Sequence, residues 1–252
     1  MKIVVASDFH FRFHSEQAIS ILEQVCRDIK PDKLILAGDL LDCHEVSKFD
    51  KVPSNHNLME ELLVCREFLH DMRLILPESE ITYLEGNHSF RLKKYLIENI
   101  KDPSIYNLIK HSLSLNELLQ LDKYNVKLIE NDPEKTNFDD VYVEENGVLI
   151  GHFNKVATGA GSTAKFLANR NFHSIIQAHV HRLSVSNKTI IGGKIIDIVE
   201  CGCMCSLKPI YCSNVDWQNG FIVMETLGED NFISAVKVIN GRAIFNGKLY
   251  IA

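Results

Sequence analysis

Histidines and carboxylates of this chain fall into five short clusters whose side chains are those that hold divalent cations. Asp8 and His10 stand in D-F-H, Asp39 and Asp42 in G-D-L-L-D, and Asn87 and His88 in E-G-N-H. His152 stands in G-H-F, and His179 and His181 in A-H-V-H. Carboxylate, amide oxygen and imidazole together suit hard and borderline ions such as Mn²⁺, Fe²⁺ or Zn²⁺. A carboxylate can bridge two such ions, and ions ~3.5–4 Å apart can clamp both the attacking and the leaving oxygen of a phosphoryl displacement. One D-x-H or H-x-H by itself carries little weight, because a single histidine is more often a hydrogen-bonded core or surface residue. Five clusters in succession point to a metal centre.

Such clusters need elements to position them. Segments 3–6, 33–37, 81–84, 148–150 and 174–178 read as short strands, and each runs into one of the clusters. Segments 15–29, 57–74, 90–100, 115–121 and 164–169 read as helices, while 101–140 is otherwise irregular. Alternating strands and helices imply parallel βαβ units, and ligands bind outside the carboxyl ends of parallel strands. An extended H-V-H would turn both imidazoles to one side. From residue 184 the pattern changes to hairpins: 184–191 and 194–200 around Gly192-Gly193, then 221–226, 233–239 and 243–245. Asn240-Gly241 and Asn246-Gly247 are the turn candidates there. The expected class is α/β (α+β), with a two-sheet core, helices outside, and residues 1–252 forming one domain.

At 252 residues the chain can bury a core without staples. The apolar run at 3–6 is too short for a leader peptide, and no run approaches the ~20 residues that span a bilayer, so no membrane association is expected. A net charge of −6 argues against a non-specific grip on duplex DNA, although bound cations would add positive charge locally. Seven cysteines is an odd number, and Cys26, Cys43 and Cys65 are scattered. That usage suits a reducing compartment, and a cytoplasmic location is expected. Cys201, Cys203, Cys205 and Cys212 form C-x-C-x-C-x₆-C without the paired C-x₂₋₄-C knuckles of structural zinc sites, so buried thiols near the site are expected. The run 159–164 matches G-x-G-x-x-A but lacks the preceding strand and following acid of a dinucleotide site. It reads as a glycine loop opening a helix.

In order and spacing, D-F-H, G-D-L-L-D, G-N-H, G-H and H-V-H, spread from residue 8 to residue 181, resemble the calcineurin-like metallophosphoesterase superfamily. The motifs look closest to the branch that includes the DNA-repair nucleases. The resemblance implies a metallophosphoesterase-like β-sandwich flanked by helices and two divalent ions, Mn²⁺ first, with Fe²⁺, Zn²⁺ or Ni²⁺ as alternatives. It implies that Asp8, His10, Asp39 and His181 hold one ion, and that Asp39 bridges to a second held by Asn87, His152 and His179. His88 would be the catalytic histidine, donating as imidazolium to the leaving oxygen, with Asp42 as the acid that orients it and favours its charge. A hydroxide bridging the ions would be the nucleophile.

Three positions depart from the family pattern. Ser89 stands where an acid usually follows G-N-H, and Ala178 where a glycine precedes H-x-H. Cys43 stands where the protein phosphatases of the family carry a phosphate-gripping arginine, which argues against that activity. Arg91 is the candidate substitute for a phosphate contact, with Arg12 and Lys155 as further cations that could reach the site. The expectation is a phosphodiesterase acting on a nucleotide or a single-stranded nucleic acid. The alternatives are a phosphomonoesterase of a small metabolite on the same site and a non-catalytic scaffold.

Overall fold

Residues 2–6, 33–37 and 80–84 (KIVVA, KLILA and EITYL) are buried at every position but the first. Segments apolar on both faces can only be interior strands. In the computed structural model, which describes residues 1–48, 57–209 and 215–252, they are β1 (Lys2–Ala6), β2 (Lys33–Ala37) and β3 (Glu80–Leu84), linked by α1 (Glu16–Ile29) and α2 (Leu58–Ile75). Ser15 and Asn57 start the two helices by accepting from the N–H groups of Ala18 (3.3 Å) and Glu60 (2.9 Å), the usual duty of an N-cap. Next come α3 (Phe90–Asn99), α4 (Pro103–Ile109), α5 (Leu115–Leu119) and β4 (Val126–Ile129). Then β5 (Val141–Glu145), β6 (Val148–His152), α6 (Ser162–Asn171), β7 (Ser174–Gln177), β8 (Leu183–Thr189) and β9 (Ile195–Cys201) follow. The chain closes with β10 (Gly220–Leu227), β11 (Asp230–Lys237) and the hairpin β12 (Arg242–Phe245) and β13 (Lys248–Ile251).

Among the described residues two main sheets form, in the orders β11-β10-β1-β2-β3-β4 and β5-β6-β7-β9-β8, beside the two-stranded β12-β13. The four strands from β1 to β4 pair in parallel, whereas β10 joins β1 antiparallel. Ile3, Val5, Ile35 and Leu84 meet Ile150, Ile176 and Val199 between the sheets. On the outer face of the first sheet, Val4, Leu34 and Leu36 pack under Ile21, Leu22, Val25 and Leu69 of α1 and α2. Outside the second sheet, Ile175 and Ile198 pack under Ala164 and Leu167 of α6. Each fully buried aliphatic side chain contributes roughly 1.5–3 kcal/mol, so three contiguous layers of them fix the sandwich. This is the α/β sandwich flanked by helices that the patterning implied.

Several expectations are corrected. The 101–140 stretch holds α4, opened by the Asp102 cap with Pro103 at its first turn, and the edge strand β4. β5 is a further strand that alternation in V-Y-V-E-E could have flagged. H-V-H is not extended: β7 stops at Gln177, and His179 and His181 take φ values of 75° and 59°. Cys201 is the last residue of β9, and Gly202 at φ +82° turns the chain away before Cys203 and Cys205. Among the described residues, no helix is long and apolar enough to cross a membrane.

Candidate metal centre

Parallel pairing brings the carboxyl ends of β1, β2 and β3 to one edge, and backbone bonds lace the loops that leave them. The Asp8 N–H donates to Gly38 O (3.1 Å), and the His10 N–H to Asp39 O (3.0 Å). β6 and β7 bring His152 and the His179–His181 turn to the same crevice. Asp8, His10, Asp39, His179 and His181 all adopt positive φ. Left-handed backbone costs an L-residue roughly 1–3 kcal/mol, and such strain concentrates where side chains must be aimed. Two glycines clear the space. A Cβ on Gly86 would overlap Asp39 Oδ1, and one on Gly38, at φ +95°, would overlap the His152 ring.

The donors fall into two groups. Asp8, His10 and His181 each offer one atom within 4.8 Å of the others, as do Asp39, His152 and His179. Asp39 lies between the groups: its Oδ2 is 3.3 Å from His152 Nε2 and 3.9 Å from His10 Nε2, while its Oδ1 accepts the His88 N–H at 2.8 Å. Asn87 Oδ1 lies 2.8 Å from His152 Nε2. All seven residues named from the sequence as ligands are therefore brought together, although His179 and His181 serve different groups rather than one side of a strand.

This donor set fits divalent ions. His10 donates its Nδ1–H to Asp42 Oδ2 (3.0 Å), and His152 donates its Nδ1–H to Ala37 O (3.1 Å). Those partners fix the tautomers and leave each Nε2 a lone pair aimed into the crevice. The two lone pairs face other acceptors, at Asp39, Asn87 and His181. Asp8 Oδ1, 3.1 Å from His181 Nε2, is buried without a hydrogen-bond partner. Acceptors turned on one another repel unless a proton or a cation sits between them. Burial opposes charge on His152, but Asp39 and then Asp8 outweigh it and raise the ring to about 9, so a proton can take the cation's place. His179 is pushed down to about 4 by burial and by its neighbour His152, which leaves it a neutral donor. Burial also works against Asp8 and Asp39, yet surrounding histidines, His181 for the first and His152 for the second, hold both carboxyls well below their usual range.

Beside this crevice, His88 Nδ1 lies 3.2 Å from Asp42 Oδ2, without the alignment of a hydrogen bond. Asp42 thus hydrogen-bonds His10 and stands beside His88 without bonding it, where the sequence implied an acid that orients His88. Burial lowers the His88 pKa: Asp39 and Asp42 favour its imidazolium, as expected of the carboxylate, but burial outweighs them. Arg91 donates to His88 Nε2 (2.9 Å) and to Asp42 O (3.0 Å). His88 also forms a geometric donor group with His10 and Asp39, which sets a ligand role against an acid role.

Two contributors carried no motif. Glu61, buried on α2, accepts the N–H groups of Asp42 and Cys43 and so fixes the loop where Cys43 takes φ 52°. Its signal was a carboxylate on the apolar stripe of the helix, beside Leu62, Cys65 and Leu69. Trp217 covers His181 with ring centroids 4.2 Å apart. Nothing but its place just before β10 could have marked it. Of the other sequence candidates, Ser89 pairs with Tyr83 Oη at 2.6 Å, and Arg12 is paired with Glu60 at 2.9 Å. The glycine loop at 159–161 opens α6 as read, but the N–H groups of Gly161 and Thr163 go to buried Glu200. Cys212 lies outside the described residues.

Comparison with known proteins agrees with this geometry. The calcineurin-like phosphoesterase family matches residues 1–183. The gene 54 protein of Mycobacterium phage L5 is 24% identical over 259 residues, covering 99% of this chain and 98% of its own. The gene 54 protein of Mycobacterium phage D29 is 24% identical over 260 residues with the same coverage. Vps29 of Chaetomium thermophilum superposes with a TM-score of 0.50 at 9% identity, covering 100% of this chain and 98% of that one, which is a likeness of fold. Family match and donor set together place this chain in the calcineurin-like phosphoesterase family, as a metal-dependent hydrolase of phosphoric esters.

Proposed function

We propose that the chain is a dinuclear phosphodiesterase acting on a nucleotide or a single-stranded nucleic acid in the cytoplasm, with residues 1–252 working as one domain. Asp8, His10, Asp39 and His181 would hold one divalent ion, and Asp39, Asn87, His152 and His179 the other, with Mn²⁺ the first candidate. Bound ions would supply water acidified towards neutral pH and positive charge against the phosphoryl oxygens. His88 would give a proton to the leaving oxygen from Nε2, with Arg91 drawn off that nitrogen and wholly onto Asp42, whose carboxylate stands beside Nδ1. An anionic substrate beside that buried ring favours its protonated form.

The observation that carries the diester reading is the commitment of the nearby cations. Arg91 is tied to Asp42 and His88, Arg12 to Glu60, and Cys43 stands where an arginine fork would meet a phosphate dianion. A diester monoanion asks for less charge than that. A cavity of about 250 Å³ beside Asn87, lined among others by Lys94, Tyr95 and Phe138, offers a cation and aromatic faces together. That combination suits the phosphates and bases of a nucleotide chain. The free thiols of Cys26, Cys43 and Cys65 support a reducing compartment, and the pairing of β10 onto β1 supports a single domain.

The test is the ratio of kcat/KM for matched aryl diester and aryl monoester substrates with Mn²⁺, repeated with short single-stranded DNA. Faster diester cleavage is expected. A preference for the monoester, with no nucleotide diester cleaved, would replace this reading by a phosphomonoesterase of small metabolites.

A further inference from the structure

The second nitrogen of His181 faces sulfur. While Nε2 looks towards Asp8 and His10, Nδ1 lies 3.7 Å from Cys205 Sγ. Cys203 completes a buried group in which His181, Cys203 and Cys205 each place a donor atom within 4.8 Å of the others. Cys201 lies outside that group, its thiol donating to Val5 O at 3.3 Å between the sheets, and the Cys203 thiol donates to Gln218 O at 3.5 Å, a bond that an ion on the sulfur would replace. The turn that presents the two sulfurs is held by one side chain: the Asn219 amide donates to Cys203 O (3.0 Å), Cys205 O (2.7 Å) and Cys203 Sγ (3.7 Å). Cys205 is further fixed by a backbone bridge to His14, and Trp217 closes the space over the His181 ring.

We propose that Cys203, Cys205 and His181 Nδ1 form a separate site for a thiophilic divalent cation such as Zn²⁺, joined to the dinuclear centre through the His181 ring. Two thiolates and an imidazole are the soft and borderline donors that select such an ion over Mn²⁺ or Mg²⁺. Around tetrahedral zinc, a sulfur and a nitrogen sit about 3.5 Å apart, close to the 3.7 Å found here. Among the described residues no fourth side chain joins the group, so water would complete the shell. Binding releases the two thiol protons and the Nδ1 proton to solvent, leaving the ring as an imidazolate that serves a cation through each nitrogen. An ion on this side would lock the orientation of the His181 ring, as partners behind a metal-bound histidine do.

The experiment is a Co²⁺ titration of the Mn²⁺-loaded protein followed by near-ultraviolet absorbance, where thiolate-to-cobalt charge transfer appears only if cysteine sulfur binds the ion. The band is expected in wild type and in Cys201→Ser, and is lost in the Cys203→Ser/Cys205→Ser double variant, with far-UV circular dichroism confirming that each folds. If the double variant does not fold, Cys205→Ala serves in its place and should lose most of the band. Wild type without a band at excess Co²⁺, or a band unchanged in the folded cysteine variants, would overturn the proposal. Neither outcome depends on which phosphoester is hydrolysed.

Discussion

His88 is set apart from the other crevice histidines by what its nitrogens touch: Arg91 on one side and Asp42 on the other. If it is the proton donor, His88→Ala keeps the metal content of wild type and lowers kcat by roughly 10²–10⁴-fold. The loss should shrink for substrates whose leaving groups are acidic enough to depart unprotonated. A variant that instead loses an ion would assign His88 to the donor group it shares with His10 and Asp39. Trp217 gives an independent view of the Asp8 side. It is the single tryptophan of the chain and packs on His181, so filling that side with paramagnetic Mn²⁺ should quench its fluorescence. Quenching should weaken in Asp8→Asn and persist in His152→Ala, and fluorescence indifferent to saturating Mn²⁺ would contradict the assignment. The donors were legible because each belongs to a short motif. Trp217 was not, because a single aromatic in a loop has neither period nor partner in sequence. The imidazolium expected of His88 failed for a physical reason: a sequence shows the nearby carboxylate but not the burial that outweighs it.

At the scale of elements, α2 acts as a clamp on the Asp42 loop. It buries Leu62, Cys65, Phe68, Leu69 and Met72 and, on the same stripe, Glu61. Burial is the main cause that raises Glu61 to about 8, the Cys43 N–H working against it and the charge of Asp42 adding to it. The folded pKa thus lies above the ordinary glutamate value of 4.5, so the unfolded chain gives up this proton more readily. The stabilisation linked to that proton is fully present below about pH 4.5 and is lost as pH rises through about 8. Glu61→Gln keeps an oxygen for the two N–H groups but has nothing to ionise, so its stability relative to wild type should improve between pH 6 and pH 9. Denaturant unfolding at both values checks this, and a difference that does not change with pH would contradict it. Helices α1 and α2 were readable because caps and apolar period agree there, α3 by its apolar period alone, and strands β1 to β3 because they are apolar on both faces. β4 and β13 were not, since short edge strands with exposed residues carry too little apolar pattern to stand out from loops, whereas the alternation of β5 was there to be read.

Across the whole molecule, strands distant in sequence meet to make one crevice: from one sheet β1 supplies Asp8 and His10, β2 supplies Asp39 and β3 supplies Asn87 and His88, while β6 and β7 supply the imidazoles of His152, His179 and His181 from the other. The order of motifs announced that convergence, but not how sharply the chain must turn to achieve it. Five of the donors occupy left-handed backbone, a geometry that no residue type other than glycine advertises. The strain is tolerated because the loops are laced to one another and to the sandwich beneath. Ligation would offset it further, since an ion that binds only the folded chain stabilises it. The central claim, that Asp39 joins two ions in one centre, is tested most directly by metal analysis and electron paramagnetic resonance of the Mn²⁺-loaded chain and of Asp39→Asn. Two Mn²⁺ per chain with an exchange-coupled spectrum are predicted for wild type, with the coupling lost in Asp39→Asn. One ion in wild type, or two whose uncoupled spectrum is the same in both proteins, would contradict it.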